Sequence, residues 1–327
     1  MDYDKFKPYI PLTETKYPKV YLDVPSFLGS KVASNKRDLE GCDVAVIGVP
    51  WEGELTWGSW SGCELAPMYV RKASLRYSGY IPEFNIDVLE HYNLCDYGDV
   101  CIERGDTTKT FKNIYDKILD VLGANAIPIT IGGDHSITIP IVKAIVDHGY
   151  NPLILHLDAH YDSLPSYRGN KYARCCPIRR LVDEDGVNPE NIFQVGIRGP
   201  RNAKIQHDFA KETGIKVYTI WDLRSKGLKT LINDVMDRSK TVDGIYITLC
   251  MDVLDSSAAP AAAGDPLGLS SYELINMLVE IASRVRLLGM DIVELYPPID
   301  VRDMTSHLAV WIILYTLAAT VLHRSLR

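Results

Sequence analysis

The chain is built from nearly unbroken apolar runs, rich in valine and isoleucine, and several are separated by stretches of helical period. "DVAVIGVP" (43–50), "IPITIGG" (127–133), "PLILHLDAH" (152–160), "NIFQVGIRG" (191–199), "KVYTI" (216–220), "GIYITLCMDV" (244–253) and "VRLLGMDIVEL" (285–295) lack the alternation of a strand with one wet face. They fit strands covered on both sides, which is the condition of a parallel sheet. "TTKTFKNIYDKILDVLGA" (107–124), "SYELINMLVEIAS" (271–283) and the segment 303–324 read as helices, the first capped by Asp106 or Thr107 and ended by Gly123. Strands alternating with helices predict an α/β fold, a three-layer α/β/α arrangement around a mainly parallel sheet. In such sheets ligands bind beyond the carboxyl ends of the strands. Polar residues just after an apolar run are therefore the ones to weigh.

The bulk numbers narrow the field of partners. The 327 residues suffice for one large domain, read as 41–327, with 1–40 as an N-terminal extension that packs on it or on a neighbouring subunit. A net charge of −7 argues against nucleic acid. The most apolar stretch, "LAVWIILYTLAATVL" (308–322), is shorter than the roughly 20 residues of a membrane span and reads as a buried helix. With no apolar leader pattern at the start and an odd number of cysteines, free thiols in a reducing cytoplasm are expected.

Four polar clusters stand at the ends of these runs. In "GGDHS" (132–136) two glycines let the chain turn, so that Asp134 and His135 project from a strand end. In "DAHYD" (158–162) Asp158, His160 and Asp162 alternate along extended chain and lean to one side. Acids this close repel one another unless a cation lies between them, and the donor set suits a divalent metal such as Mn²⁺, Ni²⁺ or Zn²⁺. In "CMDVLD" (250–255) Cys250 and Asp252 share a face, while Asp255 reads as a residue that orients its neighbours. In "DIVELYPPID" (291–300) Glu294 ends a buried run, where an unpaired carboxylate is costly and a guanidinium is a fitting partner. "TWGSWSG" (56–62) adds Trp57, an aromatic face that either stacks on a small cation or anchors a loop.

Taken together and in this order, "GGDHS", "DAHxD", "CMDVLD" and the late "VEL-P" resemble the ureohydrolase family of arginases and agmatinases. "SLRYSGYIPEFNIDVL" and "PPIDVRDMT" look more like the agmatinase branch. The resemblance implies hydrolysis of a guanidino C–N bond to urea and an amine by water activated between two divalent metals, Mn²⁺ by family habit. It implies His135 and Asp162 as ligands of one metal, His160 and Asp252 of the other, and Asp158 between both, with Asp158 and Glu294 as catalytic groups and Glu294 holding the substrate guanidinium. A homo-oligomer, trimeric or hexameric, is the corresponding assembly.

This chain departs from that pattern in three places. Cys250 stands where the family has a second bridging aspartate; a thiolate there would favour Ni²⁺ or Zn²⁺ over Mn²⁺, and an inert core thiol is the alternative. In "NKYARCCPIRR" (170–180) Arg174 replaces a histidine, which suggests a pocket-mouth cation that pairs the carboxylate of a guanidino acid. The loop "APAAAGDPLGLS" (259–270) is alanine-rich where the family is glycine-rich. The active reading is an enzyme with altered metal or substrate. The competing one is a degenerate homologue that partners an active paralogue.

Overall fold

The computed structural model describes residues 26–54 and 59–325. Trp57 and residues 1–25 of the extension lie outside the described residues. Eleven strands occur among them: β1 (Lys31–Val32), β2 (Val44–Gly48), β3 (Tyr80–Ile81), β4 (Ile86–Asp87), β5 (Leu94–Asp99), β6 (Ile127–Ile131), β7 (Pro152–Leu157), β8 (Ile192–Ile197), β9 (Lys216–Thr219), β10 (Gly244–Cys250) and β11 (Leu287–Val293). The helices are α1 (Ala66–Ser74), α2 (Val88–His91), α3 (Thr107–Gly123), α4 (Thr138–Asp147), α5 (Pro177–Asp183), α6 (Lys204–Thr213), α7 (Ile220–Lys226), α8 (Leu228–Ser239), α9 (Ser271–Ala282) and α10 (Met304–Ser325). Nine strands form one parallel sheet in the order β1-β5-β2-β6-β11-β10-β7-β8-β9, and β3 and β4 form a separate antiparallel pair.

Each apolar run became a strand, and all but the half-exposed edge strand β9 are covered on both faces. Val46, Ile129, Leu155, Leu249 and Ile292 face a layer that includes α1, α8, α9 and α10, while Ile47, Ile154, Tyr246 and Leu288 face α3, α4, α5 and α6. Asp106 caps α3 by accepting from the Lys109 N–H, and Ser270 with Glu273 forms a reciprocal capping box on α9. The apolar 304–323 stretch has the length and hydropathy to cross a membrane, but 72% of its most apolar window is buried inside the fold, the signature of a core helix.

Beyond the small β3–β4 pair, two strands of the main sheet escaped the sequence reading. In β5, "LCDYGD", Asp96 and Gly98 interrupt the apolar run. Asp96 is nonetheless buried, because Arg71 of α1 pairs it through Nε and Nη2 at 2.8 and 2.9 Å and the Phe27 N–H donates to it at 2.8 Å. The short β1 then pairs β5, so residues 31–32 of the extension pack on the domain and supply the edge strand of the sheet.

Candidate active site

The four clusters are far apart in sequence, yet they follow β6, β7, β10 and β11, and these are consecutive strands in the middle of the sheet, in the spatial order β6-β11-β10-β7. Parallel pairing puts all their carboxyl ends on one edge, so topology alone brings the clusters together. The turns are tight. A Cβ on Gly133 would lie 1.7 Å from the Trp51 carbonyl oxygen, so only glycine fits there. Asp162 and Glu294 both adopt left-handed backbone (φ 47° and 59°), a costly conformation for a side chain that turns each carboxylate back over the strand ends.

Six residues expected as metal ligands meet here. His135 Nδ1 is 2.9 Å from Asp158 Oδ2 and 3.0 Å from Asp162 Oδ2. His160 Nδ1 is 3.2 Å from Asp158 Oδ1 and 3.1 Å from Asp252 Oδ2. Cys250 groups with Asp158 and Asp252, their ligand atoms within 4.8 Å of one another. An octahedral shell at about 2.1 Å places neighbouring donor atoms about 3.0 Å apart, so these separations suit a metal at the centre. His135 Nδ1 and Asp158 Oδ2 are both buried. The residues present therefore fit a divalent pair, with Asp158 between the two positions.

The proton on His135 is fixed from behind. Thr248 Oγ1 donates to Asp291 at 2.8 Å and faces His135 Nε2 at 2.9 Å, so it accepts the Nε2–H and leaves Nδ1 as the nitrogen that faces two carboxylates. His156, which the sequence reading passed over, has the opposite orientation. Gln194 Nε2 donates to the Tyr161 carbonyl at 2.7 Å, which sets its amide, and stands 3.2 Å from His156 Nδ1. His156 Nε2 lies 3.3 Å from Asp158 Oδ2 without a hydrogen-bond partner and groups with the donor atoms of His135, Asp158 and Asp162.

His156 belongs to a buried row. Register aligns Thr130, Asp291, Thr248, His156 and Gln194 across β6, β11, β10, β7 and β8, and none has any solvent exposure. The row lies directly beneath the ligands. Its sequence signal was the period of two running back from Asp158 to His156, masked by the apolar run around it.

Charge sets the behaviour of the cluster. In the metal-free chain burial opposes charge on His135 and His160, but the flanking carboxylates raise both well above the usual histidine range, so a metal arriving at Nδ1 would displace a proton. Burial first, then the charge of Asp158, raises the carboxyl of Asp162. Burial, followed by Asp158, Asp252 and Glu294, pushes the Cys250 thiol up, so it stays protonated until a cation is near. Arg198 holds the loop that carries Asp252 and Asp265, donating to both their backbone carbonyls at 2.6 and 3.0 Å. That alanine-rich loop brings Asp265 Oδ2 to 3.4 Å from His160 Nε2, a contact not anticipated from the sequence.

A cavity of about 260 Å³ opens beside the cluster, its wall including Asp158, His160, Cys250, Tyr167 and Arg174. Arg174 lines it but is not the free cation at the mouth that the sequence suggested. It is 5% exposed, and its Nη1 and Nη2 donate to Glu294 and Glu52, each at 2.9 Å. Its charge is thereby neutralised, and the expected pairing with the carboxylate of a guanidino acid loses its basis. Glu52, in the loop after β2, had no sequence signal beyond its position. Asp134 is a structural group, capping the turn at Ser136 and accepting from the Gly53 N–H at 2.7 Å.

Residues 42–319 match the model of the arginase family. Among curated relatives, formimidoylglutamase of Halalkalibacterium halodurans is 32% identical over 81% of this chain and 88% of its own length, and agmatinase of Bacillus anthracis 29% over 86% and 92%. The crystal structure of formimidoylglutamase from Bacillus subtilis superimposes with a TM-score of 0.81 at 32% identity, covering 88% of this chain and 90% of that one. Proclavaminate amidino hydrolase from Streptomyces clavuligerus gives 0.84 at 27%, covering 93% and 99%. Fold, the convergence of ligand clusters at one sheet edge, and this sequence relationship agree: the chain belongs to the arginase family.

Proposed function

We propose that the chain hydrolyses a C–N bond of a guanidino or related amidine compound, using water activated at the Asp158-centred cluster. The observation that carries this reading is the spacing of buried donors, with His135 Nδ1 at 2.9 and 3.0 Å from Asp158 and Asp162 and His160 Nδ1 at 3.2 and 3.1 Å from Asp158 and Asp252, the separation of neighbouring ligands around one metal. Two divalent ions, held by His135, Asp158 and Asp162 and by Asp158, His160 and Asp252, with Cys250 beside both, would supply Lewis acidity and lower the pKa of water. Asp158 orients the nucleophile, and Thr248 holds His135 in place. His160, the most exposed of the ligands, borders the cavity from which the substrate carbon approaches. Water adds to that carbon, the bond to the substituted nitrogen breaks, that nitrogen takes a proton from the water and leaves as an amine, and the carbon leaves as urea or formamide.

The related proteins carry names of both kinds, formimidoylglutamase on one side and agmatinase and guanidinopropionase on the other, so amidine and guanidino substrates both belong in the test. The experiment is metal content of protein grown with Mn²⁺, Ni²⁺ or Zn²⁺, followed by urea and formamide release from agmatine, guanidino acids and N-formimidoyl amino acids. We expect bound metal and release from at least one class. Cys250→Asp should shift preference toward Mn²⁺ by about tenfold. Absence of bound metal with every ion, and of release from every compound, would overturn the reading. The same absence is what the second reading, a homologue that no longer catalyses, requires; the thiol at Cys250 and the occupied Glu294 are the two features that favour it.

A further inference from the structure

Glu294 and Glu52 face one another across a single planar cation. Arg174 Nη1 is 2.9 Å from Glu294 Oε2, Nη2 is 2.9 Å from Glu52 Oε1, and Asp134 Oδ2 lies 3.8 Å from Nη2. Three acids and one guanidinium are thus gathered in a place almost closed to water. Glu294 has little capacity left. Its Oε2 also accepts from the Tyr296 hydroxyl at 2.6 Å, and its Oε1 accepts from the His135 N–H at 2.8 Å. An oxygen with two donors has used both lone pairs, so the two parallel bonds that a guanidinium makes to a carboxylate are closed to a second guanidinium. Glu52 is likewise engaged, by the Ser61 hydroxyl and N–H and the Gly62 N–H as well as by Arg174.

The place is nonetheless in the wall of the cavity, next to the metal cluster: Glu294, Arg174, Cys250 and Asp158 border the same space. Arg174 Nε is buried without a hydrogen-bond partner, so the two forked nitrogens do all of the holding. We propose that Arg174 is the internal occupant of a guanidinium seat formed by Glu294 and Glu52, and that the seat accepts an external guanidinium only when Arg174 is removed or swings out. Glu52 is then a specificity-determining residue together with Glu294, and Arg174 excludes guanidines that would depend on this seat. The consequence for turnover rests on the functional reading above; the occupancy of the seat does not.

Methylguanidine, which reproduces the end of an arginine side chain, is the probe. Its binding to the full chain as purified is measured by calorimetry and by the shift of the thermal midpoint, with methylammonium at equal ionic strength as the control. Arg174→Ala should bind methylguanidine at least about tenfold more tightly than the unsubstituted chain and be stabilised by it. Methylammonium should do neither, because it lacks the planar fork. Adding Glu294→Gln to Arg174→Ala should abolish the binding. Arg174→Gln serves where the alanine variant is too unstable, with the same expectation. Equal binding to the unsubstituted chain, no binding to either variant, rescue by methylammonium, or survival of binding after Glu294→Gln would each overturn the proposal. Failure of the functional reading looks different: no urea or formamide from any variant, while methylguanidine still binds only where Arg174 is missing.

Discussion

Two neighbouring clusters of acids at the same sheet edge solve one electrostatic problem in opposite ways. Around Asp158, the carboxylates of Asp158, Asp162 and Asp252 are faced by imidazoles, and His135 Nδ1 stands within 3.0 Å of two of them. Around Glu294, the carboxylates of Glu294 and Glu52 are faced by a permanent cation, Arg174. The first cluster is balanced by histidine protons that a metal would displace, and the second by a guanidinium that keeps its proton. An acid cluster therefore signals a ligand only after the chain's own cations have been counted.

The comparison breaks most readily at Asp158, since one carboxylate touches both metal positions. Asp158→Ala should lower metal affinity by more than about a hundredfold, read by elemental analysis after dialysis. Metal content equal to that of the unsubstituted chain would remove Asp158 from the centre. In the second cluster, loss of the cation should damage the fold itself. Arg174→Ala leaves buried carboxylates facing each other, and denaturant unfolding should report a loss of about 3–5 kcal/mol. A loss below about 1 kcal/mol, the worth of an exposed ion pair, would mean that the pair is solvated.

A smaller effect sharpens the contrast from beneath the ligands. Thr248→Val keeps the volume but removes the acceptor of the His135 Nε2–H, and should weaken metal binding about 10–100-fold with little effect on the metal-free fold. The smallest effect concerns Asp185, a buried acid with neither metal nor full ion pair. Burial pushes its carboxyl up to about 7, and its Oδ2 has no hydrogen-bond partner. Between about pH 4 and 7 the unfolded chain is ionised while the folded one keeps the proton, so stability falls as pH rises through that window. Asp185→Asn should gain progressively over the same range, reaching about 1–2 kcal/mol at pH 8, and a gain independent of pH would refute the assignment.

Much of this arrangement was legible in the sequence, and what was hidden shares a physical cause. The ligands His135, Asp158, His160, Asp162 and Asp252 stand at the ends of apolar runs, where local pattern exposes them. His156, Thr248 and Asp291 lie inside such runs, and their partners come from other strands through register, which no single segment reveals. Arg174 was noticed for its charge, but its pairing with Glu52 and Glu294 spans 122 and 120 residues of sequence. The strand β5 was missed because Asp96 breaks its apolar run while Arg71 satisfies the acid from a distant helix.

Anomalous diffraction from crystals grown with Mn²⁺ tests the account most directly, because it shows both clusters in one map. The account predicts metal peaks between His135, Asp158 and Asp162 and between Asp158, His160 and Asp252, with the Arg174 guanidinium still on Glu294 and Glu52. A map with no peak in the Asp158 cluster, or with Arg174 turned away and Glu294 bare, would contradict it.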